Sequence, residues 1–73
     1  MSQAFEFYDA RARDAAREAG EATLENVRER NLRAEKTWRG LAEQARRVMQ
    51  DREKAEAERA ARREAESELD SAV

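Results

Sequence analysis

Seventy-three residues, 44% of them charged, with no cysteine, histidine or proline, exclude a disulfide framework, a thiolate metal site and the commonest metal ligand and general base. A single core in a chain below about 80 residues rarely supplies more than about 3–5 kcal/mol, which leaves self-association as the route to burying enough surface. Fifteen basic against seventeen acidic residues give a net charge of −2, too even a balance to draw the chain to nucleic acid or anionic lipid.

Ala, Glu and Arg dominate and β-branched residues are sparse, so summed propensity favours helix almost throughout. In chain order, Phe5, Tyr8, Ala12, Ala15, Ala19 and Ala22 step by three and four and form one helical stripe. Continued past Ala22 the stripe meets Asn26, Glu29, Arg33 and Lys36 and ends. A second stripe begins two residues out of phase: Leu24, Val27, Asn31, Ala34, Trp38, Leu41, Ala45 and Val48. A two-residue offset would turn the apolar faces of one continuous helix roughly 160° apart. A break therefore fits the sequence better than a single helix tolerating Gly20. Gly20 is expected to close the first helix in the left-handed conformation and Thr23 to cap the second. The expected fold is all-α: an antiparallel two-helix hairpin over residues 1 to 49, with helix 1 about 3 to 19 and helix 2 from 24. Residues 50 to 73 form a charged helical extension whose C-terminus frays.

Residues 1 to 27 carry a net −3 and residues 28 to 47 a net +4, so an acidic first helix is expected to lie along a basic stretch of the second. Each exposed pair is worth only about 0–1 kcal/mol. Beyond Gln50 the bulky apolar residues become sparse, and Lys54 with Glu58, Glu58 with Arg62 and Arg62 with Glu66 stand four apart, each pair adding a few tenths of a kcal/mol to a solvated helix. Glu66, Glu68 and Asp70 put acids at the negative end of the helix dipole.

Catalysis is not expected. The hydroxyls have no histidine to activate them, and a hairpin offers no pocket in which to desolvate a carboxylate. No i, i+3 Glu/His pair exists for a two-metal site, and Gly20 and Gly40 stand alone rather than in a phosphate-cradling loop. No cofactor, metal or small-molecule substrate is expected. Gly40, beside Trp38 and Leu41, is read as permitting close helix approach. Asn31 lies on the apolar stripe opposite Ala12, where a polar residue can fix register or oligomer state; equally, it can look out at the edge while Leu32 takes its place.

Folded back, helix 1 brings Phe5 and Tyr8 level with Trp38 and Leu41, while Phe7 is expected to point elsewhere. A first helix of about 17 residues covers the second to about residue 43, leaving Ala45, Val48 and Met49 without cover. The core and interface are therefore assigned to Phe5, Tyr8, Leu24, Val27, Asn31, Trp38, Leu41, Val48 and Met49, with Trp38 expected to be buried. Those uncovered residues imply a second chain, and a homodimer in a four-helix arrangement is expected.

The run Thr23-Leu24-Glu25-Asn26-Val27-Arg28-Glu29-Arg30-Asn31-Leu32-Arg33-Ala34-Glu35, followed by Trp38 and Leu41-Ala42 and preceded by Phe7-Tyr8-Asp9-Ala10-Arg11-Ala12, resembles the central motif of short uncharacterised helical proteins from alphaproteobacteria. The resemblance spans about residues 5 to 50, departs at Asn31 and implies no activity. The function expected from the residues is a non-enzymatic, self-associating protein-interaction module, cytoplasmic, able to dock an unidentified protein partner through the helix-2 stripe or the charged tail. The competing class is nucleic-acid association through the basic stretch 28 to 47, disfavoured because Glu29, Glu35 and Glu43 interrupt it. A membrane role is not expected: no apolar run approaches the roughly 20 residues that span a bilayer, and the alternating Glu/Arg pattern lacks the basic polar face of a membrane-surface helix.

Overall fold

The computed structural model describes residues 3 to 72. Two helices, α1 (Gln3–Glu21) and α2 (Glu25–Ala72), are joined by residues 22 to 24 and packed against each other. Tyr8 meets Trp38 near the N-terminus of α1, while Glu18 shares a cleft with Asn31 near its C-terminus, so the helices run antiparallel. The break falls where the two stripes change phase, but it is made differently from the expectation. Gly20 does not close α1 in the left-handed conformation. It lies inside the helix, and no described residue has a positive φ. The three-residue connection reverses the chain at negative φ throughout, so α1 needs no glycine at its end. Nor does Thr23 cap α2: no hydrogen bond of its side chain is present among the described residues. The first bond of α2 runs from the Arg28 N–H to the Leu24 carbonyl at 3.0 Å, which makes Leu24 the N-cap residue and sets Thr23 one position outside the helix.

The packing is alanine-based. Ala12, Ala15 and Ala19 of α1 and Ala42 of α2 are the buried core of the described residues, and no large side chain is fully buried. The α1 stripe is the one read from the spacing, with Phe5, Tyr8 and Ala22 half-buried at its ends. Alanine methyls bury little area each but let two helix axes approach toward the short end of the roughly 8–10 Å range. On α2, Val27, Asn31, Ala34, Trp38, Leu41, Ala45 and Met49 are half-buried, so the expectation that Trp38 is buried holds only in part. Leu24, assigned to the core, is instead 62% exposed, because at the N-cap its side chain leaves the hairpin beyond the reach of α1. Ala42, which the second stripe passes over, is buried because the face α2 turns to α1 is centred between the Trp38–Ala45 row and Glu35.

Beyond about residue 45 α1 has ended and α2 continues alone. The molecule measures 74 × 14 × 12 Å with a radius of gyration of 20.9 Å, against about 11 Å for a compact chain of this length. Its accessible surface is 6136 Å², where a compact monomer of its mass would expose about 4,600 Å². The helix holds through Gly40 and past its acidic last turn to Ala72; Val73, the last residue of the expected extension, lies outside the described residues. Gly40 is not a close-approach site: a Cβ there would meet nothing within 4 Å.

Charge pairing is local. Arg13 with Asp9, Arg17 with Asp14, Arg28 with Glu25, Arg39 with Glu35 and Arg46 and Arg47 with Glu43 are all three or four apart on one helix. Among the described residues no ion pair crosses between α1 and α2, contrary to the matched-helix expectation, because alanine packing turns both charged faces outward. The expected pairs of Lys54, Glu58, Arg62 and Glu66 are likewise open, as solvated side chains gain little by closing.

Candidate docking surface

One flank of the hairpin gathers its aromatic and aliphatic side chains. Tyr8 stacks on Trp38 with ring centroids 5.9 Å apart and planes 28° from parallel, and Phe7 stands edge-on to Trp38 at 6.0 Å and 86°. Phe7 also meets Tyr8 edge-on at 5.7 Å. The expectation that Phe7 points elsewhere is thus corrected. It is 55% exposed, yet its ring reaches the indole because Trp38 is too large for an alanine seam and projects from the edge on which Phe7 sits. Offset and T-shaped pairs of this kind add about 0.5–1.5 kcal/mol beyond area burial.

Arg11, one turn after Phe7, completes the cluster. Its guanidinium carbon lies 5.4 Å from the Trp38 ring centre and 5.9 Å from that of Phe7, within the range at which a cation is attracted to a ring face. The i, i+4 spacing of Phe7 and Arg11 is the signal from which this contact could have been read. Arg11 and Trp38 also border a small cleft of about 140 Å³ with Asp14, Ala15, Glu18, Asn31 and Ala34. Asn31 is thus half-buried in the seam, as one of its two readings has it, but beside Ala15 rather than Ala12. Phe5 is half-buried on the other flank of α1, beside a depression that Glu6, Asp9 and Arg13 also line.

At the N-terminal end of α1, the aromatic cluster opens into a groove of about 620 Å³ lined by Ala4, Tyr8, Leu41, Gln44, Ala45, Val48, Met49, Arg52 and Glu53. Its floor is apolar and its far rim charged. Leu41, Val48 and Met49 line it together, and Val48 is 44% exposed. Leu24 and Val27 lie at the opposite end of the hairpin and take no part in lining it.

The electrostatics of α2 are those of a solvated helix. The Glu43 carboxyl is held below the usual carboxylate range, first by the hydrogen bond it accepts from Arg46 and further by the charges of Arg46 and Arg47, against a partial desolvation that pushes it up. The same contact raises Arg46, and the hydrogen bond to Glu25 raises Arg28. Among the described residues no side-chain polar atom is buried without a partner, and no group of His, Cys, Asp and Glu could hold a metal ion. No helix of the described residues is long and apolar enough to cross a membrane.

Compared with models of protein families, with curated proteins and with solved structures, the chain finds no match.

Proposed function

We propose that this chain is a non-enzymatic helical interaction module that works as a homodimer, using the flank that carries Tyr8, Trp38, Leu41 and Val48. The observation behind this reading is the groove at the end of α1, where an apolar floor lies open on a hairpin whose own core consists of alanines. Burying a Leu, Val or Met contributes about 1.5–3 kcal/mol, a quantity comparable with the whole stability of so small a core. The same surface, with an aromatic cluster beside it, suits a protein partner better than a small substrate, since tryptophan, tyrosine and arginine are the residues that dominate binding energy at protein interfaces. Nothing in the resemblance to short alphaproteobacterial helical proteins adds an activity to this reading.

The nucleic-acid reading is the weaker of the two. Arg28, Arg39, Arg46 and Arg47 of the basic stretch each lie against a glutamate of their own helix, which lowers the field available to a phosphate backbone. Sedimentation equilibrium between about 1 and 100 µM tests the proposal: a monomer–dimer equilibrium is expected, and a monomer across the range would overturn it. Titration with duplex DNA at about 0.1 M salt should show no binding. A dissociation constant of about 10⁻⁴–10⁻⁶ M, the ordinary non-specific range, would favour the competing reading.

A further inference from the structure

We infer that the groove at the end of α1 is filled by the C-terminal end of α2 from a second copy of this chain, the two long helices crossing antiparallel about Ala55. The inference rests on the homodimer reading and specifies how the two copies meet.

It starts from the row Leu41, Val48, Ala55, Arg62 and Leu69, spaced by seven along the flank of α2 that carries the groove. A strict seven-residue repeat keeps one face toward a partner helix when the two supercoil left-handedly. Leu69 ends the row; at 69% exposed it is the most exposed of the large apolar side chains, and nothing in its own chain reaches it. Pairing two rows antiparallel about Ala55 sets Leu69 of each copy against Leu41 of the other, at the mouth of the groove. Val48 then meets the aliphatic stem of Arg62, whose charged head can still reach water.

Charge selects this orientation. In the antiparallel register Arg52 lies level with Glu58 and Asp51 with Arg59, four residues that flank the row on the face it presents to the partner. The acidic end carrying Glu64, Glu66, Glu68 and Asp70 comes to lie beside the basic part of the other chain's α2. A parallel pairing would set Arg59, Arg62 and Glu66 each against its own copy and leave Leu69 remote from the groove. Like charges facing each other across a helix pair specify against that arrangement. Residues 57 to 69 of one chain fall level with residues 53 to 41 of the other, the stretch of α2 that lines the groove.

Spin labels and a surface variant test this on the full chain. A nitroxide on Ser67→Cys, the only cysteine then present, should give a pairwise distance of about 40 Å in the dimer, from about 36 Å along the axis, twelve residues on either side of the crossing at 1.5 Å each, and about 20 Å sideways because Ser67 points away from the row. A distance near 20 Å would identify a parallel dimer, and any other well-defined distance a different contact; either overturns the crossing at Ala55 while leaving the homodimer reading intact. A monomer by sedimentation overturns both. Leu69→Glu changes a side chain that its own hairpin does not use, so the helix content of the monomer, read at concentrations below dimerisation, should stay as in the parent. The dimer dissociation constant should rise at least about tenfold, and an unchanged constant would remove the end of α2 from the groove.

Discussion

Trp38 lies at the edge of the hairpin's seam, and the consequences of removing it follow from that position. The indole is half-buried, stacked on Tyr8, flanked by Phe7 and covered on another side by Arg11. Complete burial of such a ring would make Trp38→Ala cost about 3–5 kcal/mol; with part of its surface already in water, about 1.5–3 kcal/mol is expected. Urea unfolding followed by circular dichroism should register that loss, and tryptophan emission of the parent should fall between the buried and free limits. An unchanged unfolding midpoint would show that the cluster contributes nothing to holding the helices together. Trp38 therefore anchors α1 through its stack with Tyr8, which also lines the groove proposed for the second chain.

At the scale of the helices, legibility in the sequence follows the size of the side chains. The α1 stripe is readable because Ala12, Ala15 and Ala19 keep a strict three-and-four spacing among charges, and the phase change before Leu24 locates the turn. The turn's chemistry is not readable in the same way. Glycine and threonine are the usual terminators, yet residues 22 to 24 reverse the chain without a positive φ and leave Gly20 helical. Ala42 and Phe7 escape for a related reason: an alanine seam is narrow, so one bulky residue, Trp38, shifts which neighbours are covered. Of the site, Tyr8, Leu41, Val48 and Met49 are legible from the arithmetic of helix lengths, whereas the contribution of Arg11 depends on where the indole projects. The two glycines then make a direct test of the helices. Both lie in helical conformation with open space where a Cβ would go, so each gives up backbone order for no packing gain. Gly40→Ala, deep inside α2, should stabilise by about 0.5–1 kcal/mol. Gly20→Ala, in the last turn of α1, should stabilise by less. Thermal unfolding of the two variants checks the order, and a destabilised Gly20→Ala would mean that the end of α1 needs a glycine after all.

For the whole molecule, shape decides what the chain can do. A hairpin occupies one end of a rod 74 Å long, and the remainder is a single charged helix. Helices in water draw most of their stability from packing rather than propensity, so the extension is the part that the proposed second chain would stabilise most, and its alternating charges would make that gain depend on orientation. That dependence has a measurable signature in overall length. Two parallel copies in register would stay near the length of one. Two antiparallel copies crossing at Ala55 place residue 25 of one chain level with a point thirteen residues beyond residue 72 of the other, so the pair extends over about 60 residues of helical rise, or about 90 Å. Solution X-ray scattering over a concentration series should therefore show the maximum dimension growing from the monomer's length to about 90 Å as the mass doubles. A doubling of mass at constant length would instead place the copies side by side, with each groove filled by the partner's hairpin and both charged extensions projecting from the same end.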